Sequence, residues 1–152
     1  MKFNEFYSLT IVHSRDIILV KGVDYMNITK QKSQKTFDKQ AADYDTNIQG
    51  EHARKLYKPI IENLKNKNIH SILDLGCGTG ALLKEIKELN IAEQLFGIDI
   101  SPNMLEIAKN KLGNDATLIL GDSERLPFED SSFDAIVCND SFHHYPQPDI
   151  VE

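Results

Sequence analysis

One short segment, Asp74-Leu-Gly-Cys-Gly-Thr-Gly80, limits the possible folds more than any other part of this 152-residue chain. It ends the apolar run Ser71-Ile-Leu-Asp-Leu75, which reads as a buried strand, and precedes a helical pattern from Ala81 to about Leu89. Glycines at 76, 78 and 80 let the backbone turn sharply between the two elements and let a ligand approach closely. Strand, glycine turn and helix in that order make a β-turn-α unit.

The same rhythm repeats downstream. A strand is predicted over Gln94–Ile100, then a helix over Pro102–Leu112 with Ser101 as N-cap and proline at its first position. Further strands follow at Thr117–Leu120 and, after the loop Gly121–Ser132, at Phe133–Cys138; a polar turn runs from Asn139 to Pro148. Strands alternating with short helices imply an α/β fold with a mostly parallel sheet and right-handed crossovers, which gathers the strand C-termini on one ligand-binding rim.

Upstream, Phe37, Ala41 and Tyr44 share one helical face from Thr36 onward, and a second helix is expected from about Gly50 to Asn66 with Leu56, Ile60, Ile61 and Leu64 inward. Pro59 would kink that helix or open a new first turn. Residues 1–25 have no helical period, and the strand-like Asp16-Ile-Ile-Leu-Val20 has no obvious hairpin partner. The expected division is therefore a poorly integrated extension over 1–25 and one domain over 26–152, with Met26 a possible natural start.

Composition narrows the function. A net charge of −6 and a pI near 5.3 argue against nucleic acid and acidic membranes as partners, since both demand a basic surface. Cys77 and Cys138 stand far apart without C-x-x-C spacing, so neither a disulfide framework nor a zinc site is suggested. The N-terminal apolar run Ile17–Val20 is too short for a signal-peptide core or a membrane span, and a cytoplasmic protein is expected.

Asp99 lies at the end of the strand after the glycine turn, where a carboxylate can accept both hydroxyls of an adenosine ribose. Gly76, Gly78 and Ala81 also fit the G-x-G-x-x-A form of the dinucleotide fingerprint, so spacing alone leaves an NAD-dependent oxidoreductase open. Charge separates the two ligands. Asp74, Asp99, Asp122 and Asp140 would crowd one rim with negative charge, which repels a pyrophosphate but suits the sulfonium and ammonium groups of S-adenosylmethionine.

With these residues in view, Ile72-Leu-Asp-Leu-Gly-Cys-Gly-Thr-Gly80 resembles motif I of the class I methyltransferases, in the subgroup similar to ubiquinone/menaquinone-biosynthesis methyltransferases. Phe37-Asp-Lys-Gln-Ala-Ala-Asp-Tyr-Asp45 resembles that family's N-terminal helix motif, Gly97-Ile-Asp-Ile-Ser101 its motif II, and Gly121-Asp-Ser-Glu-Arg-Leu-Pro-Phe128 its adenine-side loop. The resemblance covers residues 36–152 and implies a Rossmann-like three-layer sandwich, lacking here the C-terminal strands of the family.

The resemblance also implies roles. Asp74 would face the methionine ammonium, Gly76 and Gly78 would lie against the cofactor, Asp99 would hold the ribose, and Asp122 would reach the adenine amino group with Ser123 as a backbone neighbour. Asn139 would line the methionine end through its backbone, Tyr44 would cover the site, and Gly80 and Ile100 complete the cofactor-binding set. Met104 is either an adenine contact or ordinary core.

No catalytic residue and no metal ligand is assigned. A histidine of Ser141-Phe-His-His-Tyr145 would face the acceptor or simply pack, and the adjacent rings of His143 and His144 are poorly disposed to chelate one ion. Cys77 reads as a small buried side chain rather than a nucleophile. The expected activity is methyl transfer from S-adenosylmethionine to a small-molecule acceptor, the alternative being a non-catalytic nucleoside-binding module. Ending before the family's further strands, the chain is expected to turn over poorly or not at all, and its fourth strand Phe133–Cys138 to be an open edge that self-associates or aggregates unless the N-terminal extension covers it.

Overall fold

The computed structural model describes residues 6–12, 17–22, 30–123 and 125–139. Strands β3 (Ile69–Leu75), β4 (Ala92–Asp99), β5 (Ala116–Leu120) and β6 (Ala135–Val137) run parallel, with β3 between β6 and β4. Helix α4 (Ala81–Glu88) connects β3 to β4, and α5 (Pro102–Leu112) connects β4 to β5. The expected Rossmann-like parallel core is present.

Local chemistry accounts for these elements. The Ser101 hydroxyl accepts from the Met104 amide at 3.1 Å and Pro102 opens α5, so the helix starts where its cap and its fixed φ put it. Strand β3 begins two residues earlier than its apolar run, where Ile69 lies opposite Ala92 of β4 and Asp134 Oδ2 accepts from the His70 and Ser71 amides, each at 2.9 Å. The second helical stretch is two helices, α2 (Ile48–Lys55) and α3 (Tyr57–Leu64), separated at Leu56. Pro59 sits in the first turn of α3, where its missing amide hydrogen is not needed.

Ile60, Leu64, Leu82, Leu83 and Ile86 from the helices meet Ile72, Leu95 and Val137 of the sheet in the main core. On the other cluster, around Leu73, Leu75 and Ile98, the rings of Phe96, Phe128 and Phe133 pack edge to face with centroids 4.8–6.3 Å apart.

Three expectations need correction. First, the strand at Ile17 has a partner. Strands β1 (Phe6–Val12) and β2 (Ile17–Gly22) form an antiparallel pair, with Leu9 opposite Leu19. Second, β1 also pairs antiparallel with β6, through Thr10, Ile11 and Val12 opposite Val137, Ile136 and Ala135, giving the sheet order β2-β1-β6-β3-β4-β5. Residues 6–12 and 17–22 thus join the sheet, and the extension covers the fourth strand, which was the alternative to an open edge: a bare row of amide and carbonyl groups takes a partner where one is in reach. The β-branched and aromatic run Phe6-Tyr-Ser-Leu-Thr-Ile-Val12 carried that signal, upstream rather than downstream. Third, helix α1 covers Lys30–Gln40, so Tyr44 stands on the turn after it and not on the helix.

Candidate functional site

The rim at the C-terminal ends of β3, β4 and β6 is built around the glycine turn. Gly76, Gly78 and Gly80 have φ of 69°, 52° and 74°, the left-handed region that glycine enters without cost. The Gly76 and Cys77 amides donate to the Ile98 carbonyl at 2.8 and 3.1 Å, which ties the turn to β4. A Cβ on Gly80 would stand 2.8 Å from Leu112 Cδ1 and 3.1 Å from Ala108 Cβ, so this glycine serves close packing of α4 on α5. A Cβ on Gly78 would meet nothing within 4 Å.

Asp99 is buried and bridges two loops. The Gly78 amide donates to Oδ2 and the Ser101 amide to Oδ1, both at 2.8 Å. Burial raises its pKa and outweighs the lowering by these amides. Asp74, opposite Gly97 of β4 and Val137 of β6, is also buried, at 2% exposure. Burial first, and then the charge of Asp99, push its pKa well above the usual carboxylate range. Its Oδ1 has no hydrogen-bond partner among the described residues. A buried acceptor without a donor costs on the order of 1–3 kcal/mol, so this oxygen is suited to a ligand that brings N–H groups.

Asn139, just past β6, is anchored by its side chain: Nδ2 donates to the Ala53 carbonyl at 3.3 Å, and Oδ1 is buried without a partner among the described residues. Tyr44 is half-buried and packs edge to face on Phe37 at 6.2 Å. Ile100 is half-buried beside Asp99, and Met104 is fully buried at 1% exposure, inside the first turn of α5. The Gly121 amide donates to the Asp99 carbonyl at 2.9 Å, which brings half-buried Asp122 and buried Ser123 to the same rim. Cys77 is buried against Gly97, and burial followed by the charges of Asp99 and Asp74 pushes its thiol pKa up, which removes it as a nucleophile at neutral pH. Asp140 and Ser141–Tyr145, with His143 and His144, lie outside the described residues.

Sequence reasoning missed several neighbours. Tyr57 packs against the main core near the site: burial and then the charges of Asp74, Tyr44 and Asp45 drive its phenol pKa upward. Asp45, Thr79 and Lys111 meet in a buried-edge triad, and Asp38 meets Ser101. The quoted motif Phe37–Asp45 contained Asp38 and Asp45, but their partners lie too far along the chain for periodicity to reveal.

Residues 72–152 match the protein family described as "Methyltransferase domain", more than half of the chain. The chain belongs to this family. Its class I resemblance is carried further by relatives: a demethylmenaquinone methyltransferase of Thermotoga maritima is 34% identical over 120 residues, covering 77% of this chain and 52% of that protein. A malonyl-[acyl-carrier protein] O-methyltransferase of Priestia megaterium is 34% identical over 121 residues, covering 78% and 43%. Among solved structures, the complex of the Haloferax volcanii Trm112 methyltransferase activator with a putative methyltransferase matches at a TM-score of 0.65 and 27% identity, covering 76% of this chain and 51% of that one. This methyltransferase-domain chain thus spans about half the length of the curated relatives it matches. Among its described residues no helix is long and apolar enough to cross a membrane.

Proposed function

We propose that the chain binds S-adenosylmethionine at the rim of β3, β4 and β6 and serves the transfer of its methyl group to a small-molecule acceptor. The observation that carries this reading is the buried Asp74 carboxyl with an unpartnered oxygen, one strand away from an Asp99 already ordered by two amides. An ammonium group answers the first and a ribose diol the second, and a cation relieves the repulsion between the two acids. A pyrophosphate would add negative charge there, which disfavours the NAD alternative.

In this reading Asp74 and Asn139 hold the methionine end, with Gly76, Gly78 and Gly80 forming the floor. Asp99 and Ile100 take the ribose side, Met104, Asp122 and Ser123 the adenine side, and Tyr44 closes the top. Bound there, S-adenosylmethionine would supply a methyl group already activated by its positive sulfur. The chain's own part is to orient the cofactor and exclude water, which is enough for an in-line displacement without a dedicated base. A cytoplasmic location accords with the same reading.

Relatives named demethylmenaquinone methyltransferase and malonyl-[acyl-carrier protein] O-methyltransferase are equally similar, each 34% identical. A second reading, a non-catalytic cofactor-binding module, would use the same rim to hold the cofactor without turnover. Calorimetric titration with S-adenosylmethionine, S-adenosylhomocysteine and NAD tests the ligand. The first two are expected to bind and NAD not, and saturable NAD binding without S-adenosylhomocysteine binding would overturn the proposal. A methyl-acceptor screen then separates enzyme from module.

A further inference from the structure

The two loops that hold Asp99 are each gripped from the N-terminal side. One is the glycine turn, whose Gly78 amide bonds Asp99; its next residue, Thr79, donates from Oγ1 to Asp45 Oδ1 at 2.5 Å. The other is the cap of α5, whose Ser101 amide bonds Asp99; the same residue donates from Oγ to Asp38 Oδ1 at 2.5 Å. Both hydroxyls are buried, Thr79 at 3% and Ser101 at 0% exposure, so water does not readily replace either carboxylate.

Each grip is doubled. Asp45 Oδ2 accepts from Lys111 Nζ at 2.7 Å, and the same ammonium lies 3.2 Å from Thr79 Oγ1. The Asp45 carbonyl accepts from the Arg54 guanidinium. The Asp38 carbonyl accepts from Asn103 Nδ2 at 3.1 Å. Between the two anchor points lies Tyr44, one residue before Asp45, on a turn closed by the Thr46 and Asn47 amides donating to the Asp43 carbonyl.

From this geometry we infer that Asp38 and Asp45 are positioning residues that form a two-point clasp, coupling the docking of residues 38–47 to the loop arrangement that binds the ribose. The inference rests on the cofactor reading above. Docking of the segment stabilises the positions of Thr79 and Ser101, hence the two amides on Asp99. By linkage, a ligand on Asp99 stabilises the docked segment by the same factor. The apparent affinity then scales with the fraction of molecules in which the clasp is closed.

The test uses the full chain and S-adenosylhomocysteine, with calorimetry for affinity and amide hydrogen exchange for the segment. In the wild type the ligand should slow exchange at residues 41–47. Asp45→Asn, which keeps the shape but loses the charge shared with Lys111, should weaken binding about tenfold and speed exchange of 41–47 in the absence of ligand. Lys111→Met should do the same, and the double variant should be no worse than either single one, because the two share one interaction. Asp38→Asn is the independent second arm, acting through Ser101. Wild-type affinity in both Asp45→Asn and Asp38→Asn overturns the clasp and leaves the cofactor reading intact. So does a loss of melting temperature with ligand-induced protection unchanged, which is what a merely structural bond would give. Failure of the wild type itself to bind S-adenosylhomocysteine removes the cofactor reading and the clasp with it.

Discussion

Replacing Asp74 by asparagine should make the ligand-free protein more stable at alkaline pH while weakening its hold on the cofactor. In the folded chain the Asp74 carboxyl is buried beside Asp99 and its pKa lies well above the ordinary value. Between the unfolded and folded pKa the native state binds a proton that the unfolded chain has released, so stability falls as pH rises through that interval. Above the folded pKa the full cost of an unpaired buried charge is present. Asparagine does not titrate, and its amide can donate toward a neighbouring carboxylate where an ionised Asp74 can only repel it. An unpaired buried charge costs more than an unpaired neutral group, which itself costs on the order of 1–3 kcal/mol, so a difference of that order separates the two side chains. At about 2–4 °C per kcal/mol for a chain of this size, the variant should melt roughly 2–12 °C above the wild type at pH 8. The gap should close as pH falls toward the ordinary carboxylate range, where Asp74 is protonated in both states. Loss of a hydrogen bond from an ammonium to a carboxylate, about 1.5–3 kcal/mol, should weaken S-adenosylmethionine binding roughly 10- to 150-fold. Thermal melts across pH with and without cofactor read both effects. A variant that melts below the wild type at pH 8 and binds the cofactor equally well would refute the assignment of Asp74 as an acid left for the ligand.

Asp99→Ala should weaken S-adenosylhomocysteine binding at least about tenfold in calorimetry, since it removes the proposed ribose acceptor and frees the Gly78 and Ser101 amides together; unchanged affinity would count against it. Gly80→Ala places a side chain at φ 74° and 2.8 Å from Leu112 Cδ1, and urea denaturation should register a loss of about 2–4 kcal/mol; an unchanged midpoint would show that α4 and α5 yield to it. A chain starting at Met26 would melt like the whole one if residues 1–25 were the poorly integrated extension that the sequence suggests. With β1 paired to β6, it should instead melt several degrees lower and scatter light in a concentration-dependent way, and a monomer with unchanged melting would contradict the β1–β6 pairing.

What sequence made legible is what physics makes local. The glycine turn, the Ser101 cap with Pro102 behind it, and the alternation of β3, α4, β4 and α5 each depend on residues within one turn or one strand of each other. Patterns of that range survive folding because nothing distant is needed to satisfy them. The missed features depend on partners far along the chain. Asp134 bonds the start of β3 from 63 residues away, Asp38 reaches Ser101 across 63, and Asp45 reaches Lys111 across 66. Tyr57 belongs to a helix that reads as an ordinary apolar face, and its closeness to Asp74 follows only once α3 is laid on the sheet. The hairpin β1–β2 had adequate strand composition, but its reason for existing is the vacant side of β6, which no window around residue 10 contains.

The two acids at the heart of the rim show where sequence and structure divide the work. Asp74 and Asp99 are near-equivalent in sequence, each an aspartate at the end of a strand and each followed by a turn and a helix. In the fold they differ in what the chain gives them. Asp99 receives two amides, one per oxygen, and is fixed in place, yet each carboxylate oxygen keeps a second lone pair for a ligand hydroxyl. Asp74 has an oxygen with no donor from the described chain and carries the strain of burial. One acid is therefore an oriented acceptor that neutral hydroxyls can complete, and the other is an electrostatic deficit that a cation removes. In the proposed reading that asymmetry orients the cofactor, nucleoside over β4 and amino-acid end over β3. It also predicts that neutralising each acid has opposite consequences for the ligand-free protein: removing Asp99 loosens the two loops it bridges, whereas removing the charge of Asp74 relieves them.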